Sequence, residues 1–473
     1  MTDRPEAGAE DGIRTRDNHL GKVELYRAEL LPRVRKLSAR SPSCQAERGP
    51  IALTLPAGVC YRRCMPVLVH KYGGTSVGTV ERIQAVADRV LAARRAGHHL
   101  VVVVSAMGET TDHLLDLARR ITTHPNQREL DMLLTAGERI TMALLALALE
   151  ERGARAISFT GSQSGILTDE RHGRARVTEI RPHRVREALN KGAIVIVAGF
   201  QGVSREREVT TLGRGGSDTT AVAMAASFGA ACVIYTDVAG VFSADPRLVP
   251  GARRIPRLGY DVMSTLAHAG AQVLHSRCVD LAARYRVPLE VRSSFDDGEG
   301  TMITDPASLE GPAVRAVALE RRAAHCLLEG EDCAPGAEAS VLEALSRLDV
   351  PVEQLALESG AGRVRLAWTL AEDEAAAFEE AWKTAAPAAG RWRLSIERGR
   401  SLVTVAGSDL AGDADVALAA ARALSRAEIP VLGARATSLS VSFLVPTERA
   451  DEAVRRLHAE LVERSGTGAQ ARA

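Results

Sequence analysis

Six short aliphatic runs constrain this chain more than any other feature. They are VLVHKY, LVVVVSA, ARAISFT, AIVIVAGF, CVIYTD and PLEVRSS, all between Met65 and Thr304. Each has strand length, and most are apolar at consecutive positions instead of alternating ones. Strands of that kind are covered on both faces, which predicts a mostly parallel sheet with helices on either side. Helical stretches fall between the runs: ELDMLLTAGERITMALLALALEERG, RPHRVREALNKG, SDTTAVAMAASFGA, GYDVMSTLAHAG and SRCVDLAARYR. The alternation predicts an α/β sandwich. Ligands in such folds bind at the C-terminal ends of the strands, where the chemically loaded residues of this chain also sit.

At 473 residues the chain exceeds one ordinary core, and its texture divides it. Residues 1–64 show neither period and end in the awkward LPAGVCYRRC. They read as a disordered tail or as the result of a start codon assigned too far upstream. The second reading is preferred, with Met65 the true start, because DGIRTRDNHLGKVELYRAELLP resembles a transfer-RNA gene read as coding sequence. Residues 65–304 form the α/β unit, and a Gly-, Pro- and acid-rich stretch marks a linker at 305–312. Two weakly similar units follow, 313–387 and 391–464, each reading strand, helix, strand, strand, helix. That is most of a ferredoxin-like α+β unit, and two in succession make an internal repeat. Residues 465–473 are a tail with no expected room for a further domain.

Composition removes several function classes. A net charge of +1 and 3% aromatics give no electrostatic or stacking case for nucleic acid or a membrane surface. No apolar run is expected to reach transmembrane length, and the N-terminus lacks the layout of a signal peptide. Cysteines 44, 60, 64, 232, 278, 326 and 333 are odd in number, and CYRRC has no second pair at zinc spacing. They read as reduced thiols of a cytoplasmic protein.

Five motifs carry candidate chemistry. In HKYGGTSVG, Lys71 ends a strand and Gly73 and Gly74 follow, with a helix beyond. Glycines let backbone N–H groups approach an anion, and the helix start adds its dipole. The same pattern also makes an ordinary tight turn. In VVVVSAMGETTD, Ser105 ends a buried strand and its hydroxyl and Thr111 are expected to face the pocket of Gly73, although each taken alone reads as a helix cap. In TTLGRGGSDTTA, Arg214 suits a carboxylate and Asp218 suits an ammonium or Lys71, while the same residues also read as a glycine turn with Asp218 as helix N-cap. Glu138 lies in a very apolar helix, so it is either exposed or bound to a cation. The loop YTDVAGVFSADPR fits a nucleotide-holding segment, or simply a loop with a proline stop.

Taken in order, KYGGTSVG, VVVVSAMG, LLTAGERITMALLA, VAGFQGV, TTLGRGGSDTTAVA, YTDVAGVFSADPR and VPLEVRSSF resemble the aspartate kinases of the amino-acid kinase superfamily. The resemblance covers Met65 to about Thr304, and the two tail units faintly resemble the paired ACT domains of those enzymes. It implies an amino-acid-kinase-like sandwich followed by ACT-type units. It also implies transfer of the ATP γ-phosphoryl group to the side-chain carboxylate of L-aspartate, with Mg²⁺ on the phosphates and no protein ligand assigned to it. By position, Lys71 would stabilise the transferring phosphoryl, and Asp218 would orient Lys71 and help Glu138 hold the substrate ammonium. Arg214 would clamp the α-carboxylate, and Ser105, Thr111 and Ser217 would line the aspartate pocket. Tyr72, Gly73, Gly74, Thr236, Asp237, Phe242, Asp245, Arg247 and Gln272 would join Lys71 at ATP. Gln272 departs from the family's usual lysine, removing a charge at the phosphates. The ACT-like units depart from the usual effector-loop pattern, so they imply homodimers or larger homo-oligomers more firmly than an amino-acid effector. The rival readings are a kinase for glutamate or acetylglutamate and a catalytically silent sensor. Glu138, Arg214 and Asp218 together favour a free α-amino acid.

Overall fold

The computed structural model describes residues 66–271, 273–305, 313–348, 353–387, 390–410 and 414–463. The expectations for residues 1–64, for most of the 305–312 linker, for Gln272 and for the 465–473 tail fall outside these. The chain opens with β1 (Val67–Tyr72), α1 (Val80–Arg95), β2 (His99–Val104) and α2 (Thr110–Ile121). Then come α3 (Gln127–Leu134), α4 (Ala136–Glu151), β3 (Ala156–Phe159), β4 (Ile166–Thr168), β5 (Val177–Ile180) and α5 (His183–Asn190). There follow β6 (Ile194–Ala198), β7 (Gln201–Val203), β8 (Val209–Thr211), α6 (Gly216–Phe228) and β9 (Ala231–Thr236). The unit closes with β10 (Arg257–Gly259), α7 (Tyr260–His268), α8 (Ser276–Tyr285), β11 (Leu289–Ser293) and β12 (Thr301–Thr304).

The main sheet has the order β10-β12-β11-β9-β1-β2-β6-β3. The six predicted strands are its six adjacent members from β11 to β3, all paired in parallel. The sandwich is therefore the one expected. Alternation within the runs sorts side chains to the two faces. Val69, Val101, Val103, Cys232 and Ile234 enter one core with α6 and α8. Leu68, Tyr72, Leu100, Val102 and Tyr235 enter the other with α1 and α4. From β1 the chain adds β2, then β3 at the edge and β6 between them, before returning to β9 and β11 on the other side of β1. The reversal falls between β1 and β9, the place where an open α/β sheet leaves a crevice.

Two features differ from expectation. Short strands β5-β4-β7-β8 form a second sheet, which three- and four-residue segments give too little pattern to announce. Gln127–Glu151 is, by length and composition, a helical stretch able to cross a membrane. It pauses only at Thr135, whose backbone stays helical at φ −63° and ψ −12°, and it buries the carboxylates of Asp131 and Glu138 inside the protein. Its Met142, Leu145 and Leu149 pack on the sheet, as in a core helix of a folded domain.

Beyond the sandwich lie β13 (Ala313–Glu331), α9 (Ala337–Arg347), β14 (Glu353–Gly360), β15 (Arg363–Ala371) and α10 (Ala375–Ala385). They are followed by β16 (Arg391–Ser408), α11 (Ala414–Arg426), β17 (Gly433–Ala436), β18 (Ser440–Pro446) and α12 (Ala450–His458). The element order repeats as predicted, but the repeats are not laid end to end. One antiparallel sheet, β14-β15-β13-β16-β18-β17, runs through both. The first part of β13, Ala313–Glu320, pairs with Leu402–Ser408 of β16, and Val317 packs in the core under α11 and α12. Only the later part of β13 pairs with β15 and covers α9 and α10. A bulge between Glu320 and Ala323 separates the two parts. The opening strand thus serves the second unit before it serves the first, a pairing that local periodicity cannot reveal.

Candidate active site

Period-two alternation places Lys71 on the α6 face of β1, and there Nζ meets Asp218 Oδ1 at 2.5 Å. Both side chains are largely buried. The same alternation turns Tyr72 the other way. Its ring is fully buried and stacks on Tyr235 with centroids 4.7 Å apart, so only the backbone of Tyr72 is left to face a nucleotide. Gly73 donates its N–H to the Tyr235 carbonyl at 3.2 Å. Gly74 caps a single 3₁₀ turn, Thr75–Val77, in which the Ser76 and Val77 N–H groups return to the Gly73 and Gly74 carbonyls at 2.9 and 3.3 Å. A Cβ on Gly74 would stand 3.0 Å from the Ala106 carbonyl oxygen, so glycine lets the turn and the β2–α2 loop meet without crowding.

Helix α6 starts at this crevice. Its N-cap, Gly215, has φ +68°, and a Cβ there would enter the His275 ring. Thr219 and Thr220 return their hydroxyls to the Gly215 and Gly216 carbonyls, at 3.1 and 2.9 Å. Ser217 and Asp218 follow in the buried first turn, and Arg214 stands exposed just outside it. Gly199, at the end of β6, packs on this turn. A Cβ would lie 2.7 Å from Ser217 Oγ and 2.9 Å from the Val104 carbonyl oxygen.

Glu138 lies in the first turn of α4 and is 3% exposed. Its Oε1 accepts from the Ala106 N–H at 3.2 Å, which joins it to the loop carrying Ser105. Gly137 permits that docking, since a Cβ there would come within 2.7 Å of the Ala106 Cβ. Oε2 is buried with no hydrogen-bond partner among the described residues. Burial pushes the carboxyl up from its usual 4.5 to about 7, and backbone N–H groups of Glu138 and Ala106 offset part of the effect. A buried carboxyl with one oxygen left unpartnered is suited to pairing with a cation. Thr111 sits half-buried in the first turn of α2, beyond the same loop.

The segment after β9 divides. Ser294 donates its N–H and hydroxyl to the Thr236 carbonyl, at 2.8 and 3.0 Å, and Asp237 is exposed beside it. Phe242 is half-buried and bridges to Arg254. Arg247 is tied back on Asp245, with Nε to Oδ1 at 3.0 Å and Nη2 to Oδ2 at 2.8 Å. That pairing holds the Asp245 carboxyl below its ordinary range. The segment rests on the tail, where Ala244 and Val249 enter the core under α12 and Ser243 Oγ meets His458 Nε2 at 2.8 Å. Lys71, Glu138, Ser105, Ser217 and Asp218 therefore converge on one crevice, while Asp245 and Arg247 form a pair of their own. Sequence reading passed over Gly199, His275 and Asp131. The glycine in VAGFQGV, after a buried run, was a signal for close approach; nothing local marked the other two.

Fold and crevice together define a class. The amino acid kinase family matches residues 66–293, and the ACT domain family matches residues 403–461. Aspartokinase from Mycolicibacterium smegmatis is 42% identical over 402 residues, 83% of this chain and 96% of its own. Aspartokinase from Geobacillus stearothermophilus is 51% identical over 291 residues, 61% of this chain and 72% of its own. The crystal structure of E. coli aspartokinase III in complex with aspartate and ADP (R-state) covers 84% of this chain and 99% of its own. It does so with a TM-score of 0.73 and 27% identity. The chain belongs to the aspartokinase family. Its reaction moves the γ-phosphoryl group of ATP to the side-chain carboxylate of L-aspartate, giving 4-phospho-L-aspartate, the entry to lysine, threonine and methionine synthesis.

Proposed function

We propose that the Lys71–Asp218 pair is the phosphoryl-transfer centre and that the crevice around it holds aspartate and ATP as follows. The observation that carries this reading is the ion pair itself, an ammonium fixed at the switch point of the sheet beside a glycine turn. Lys71 neutralises charge on the transferring phosphoryl, and Asp218 keeps its ammonium in place. The acceptor carboxylate is already ionised, so positioning and charge neutralisation carry the reaction, and no general base is needed. Glu138 takes the substrate ammonium, which supplies the cation its buried Oε2 lacks. Arg214, exposed at the rim, takes the α-carboxylate, and Ser105, Thr111 and Ser217 line the space between. Gly74 with the 3₁₀ turn, and Thr236, Asp237 and Phe242 beyond β9, contact the nucleotide. Among the described residues no cluster of three or more His, Cys, Asp or Glu is arranged to hold a metal. Mg²⁺ would come in on the phosphate oxygens, where it would add charge neutralisation.

Arg214→Ala is expected to raise the aspartate KM by about 10²-fold, the loss of a bidentate charge-assisted contact, with the ATP KM unchanged. Steady-state kinetics with each substrate varied in turn checks this, and an unchanged aspartate KM would remove Arg214 from the pocket.

The ACT match and the seating of the 241–252 segment on the tail support an amino-acid effector acting on the nucleotide side of the crevice. Lysine and threonine, titrated singly and together against activity, are expected to inhibit. No response to either would leave the tail with assembly alone, as a homodimer or larger homo-oligomer. Free thiols at Cys232, Cys278, Cys326 and Cys333 fit a cytoplasmic enzyme.

A further inference from the structure

We infer that Asp131 is a positioning residue for the aspartate α-carboxylate, acting through the arm that ends in Arg214; this rests on Arg214 being the clamp. Asp131 lies in α3 and is 1% exposed. Its carboxylate accepts from Thr211 Oγ1 at 2.5 Å and meets His172 Nδ1 at 2.7 Å. It also accepts from the Gly173 N–H, 3.0 and 3.2 Å from its two oxygens. One buried anion thus fastens two separate segments, 172–173 and the end of β8.

Those segments also hold each other. The Ala175 N–H donates to the Thr211 carbonyl at 2.9 Å. Gly213, at φ +74°, lies so close to Gly173 that a Cβ would stand 2.9 Å from its carbonyl oxygen. From the opposite side Arg277 of α8 donates to the Leu212 and Ala175 carbonyls, at 2.6 and 3.0 Å. Arg214 is the next residue after Gly213, exposed and with no ion-pair partner assigned among the described residues. A long free side chain is only as well placed as the backbone that carries it, so the brace beneath Gly213 sets where the guanidinium can reach.

Asp131 also precedes Glu138 by seven residues on the nearly continuous α3–α4 stretch. Two helical turns, about 10 Å of rise, separate them on one side of that stretch. The same rod therefore carries the group facing the substrate ammonium and the brace for the arm facing its carboxylate, and it fixes the span between the two ends.

The test is full-chain steady-state kinetics on Asp131→Asn, Arg214→Ala and the double variant. Asp131→Asn is expected to raise the aspartate KM by about tenfold, with kcat and the ATP KM within about threefold of the parent, and to add almost nothing to Arg214→Ala. Equal rises in both KM values, or additive effects in the double variant, would mark a merely structural role and overturn the inference. A silent Asp131→Asn beside an impaired Arg214→Ala sinks the inference alone. A silent Arg214→Ala sinks the clamp reading and the inference with it. Should Asp131→Asn fail to fold, Thr211→Val removes one of the contacts at nearly constant volume and is expected to raise the aspartate KM by about threefold; no change would count against the brace.

Discussion

Lys71→Met lowers kcat by about 10³-fold in the expected outcome, with substrate KM values changed far less. Removing one preorganised positive group from a phosphoryl-transfer site forfeits stabilisation present chiefly in the transition state, and such losses run at about 3–4 kcal/mol. The alternative cause of inactivity is collapse of the site. Lys71 and Asp218 share a largely buried pair, and removing one partner leaves a buried charge at a cost of about 3–5 kcal/mol. Methionine keeps the stem's volume, so packing against β9 survives. Adding Asp218→Asn removes the orphaned carboxylate and should restore thermal stability without restoring turnover. Activity of Lys71→Met within tenfold of the parent would show that Lys71 does not stabilise the transferring group. Recovery of activity in the double variant would show that the defect was one of folding.

Much of this arrangement was legible because burial leaves a loud signal. A strand covered on both faces is apolar at most consecutive positions, so VLVHKY, LVVVVSA and AIVIVAGF announce the centre of the sheet, and the glycine turns after them announce the crevice. Alternation was legible too. Lys71 and Tyr72 are adjacent in a strand and must face opposite ways, so only one side chain could reach a ligand at the Asp218 face. The remainder was silent for physical reasons. Asp131 looks like any polar residue of an amphipathic helix, since the groups that satisfy it lie 41, 42 and 80 residues away. The early part of β13 has the pattern of a strand, but which partner it pairs with depends on non-local contacts that no local period encodes. Asp245 and Arg247 carry the charges of a phosphate-binding loop, and two residues of separation also bring them together as a pair, which the spacing alone does not announce.

Glu138 supplies the second large effect, and it has a pH signature. Its carboxyl titrates near 7 in the folded protein, against a usual 4.5. A folded-state value raised above the unfolded one means that the protonated form favours folding. The advantage is complete below about pH 4.5 and is lost as pH rises through 7, amounting to roughly 3 kcal/mol. Glu138→Gln removes that burden, so the unliganded variant should melt higher than the parent at pH 8 and match it near pH 5. Substrate reverses the preference. An ammonium facing Oε2 requires the carboxylate, so aspartate binding expels a proton below pH 7. The parent's aspartate KM should then fall steeply between pH 6 and 7 and flatten by pH 8. Glu138→Gln should raise that KM by about 10²–10³-fold, the loss of a buried charge-assisted contact, and should abolish the slope. Aspartate KM measured from pH 5.5 to 8.5 in both proteins, alongside their melting temperatures, separates this from a purely structural carboxyl. A structural carboxyl predicts the stability change without the change in slope, whereas an ammonium site predicts both in the same pH window.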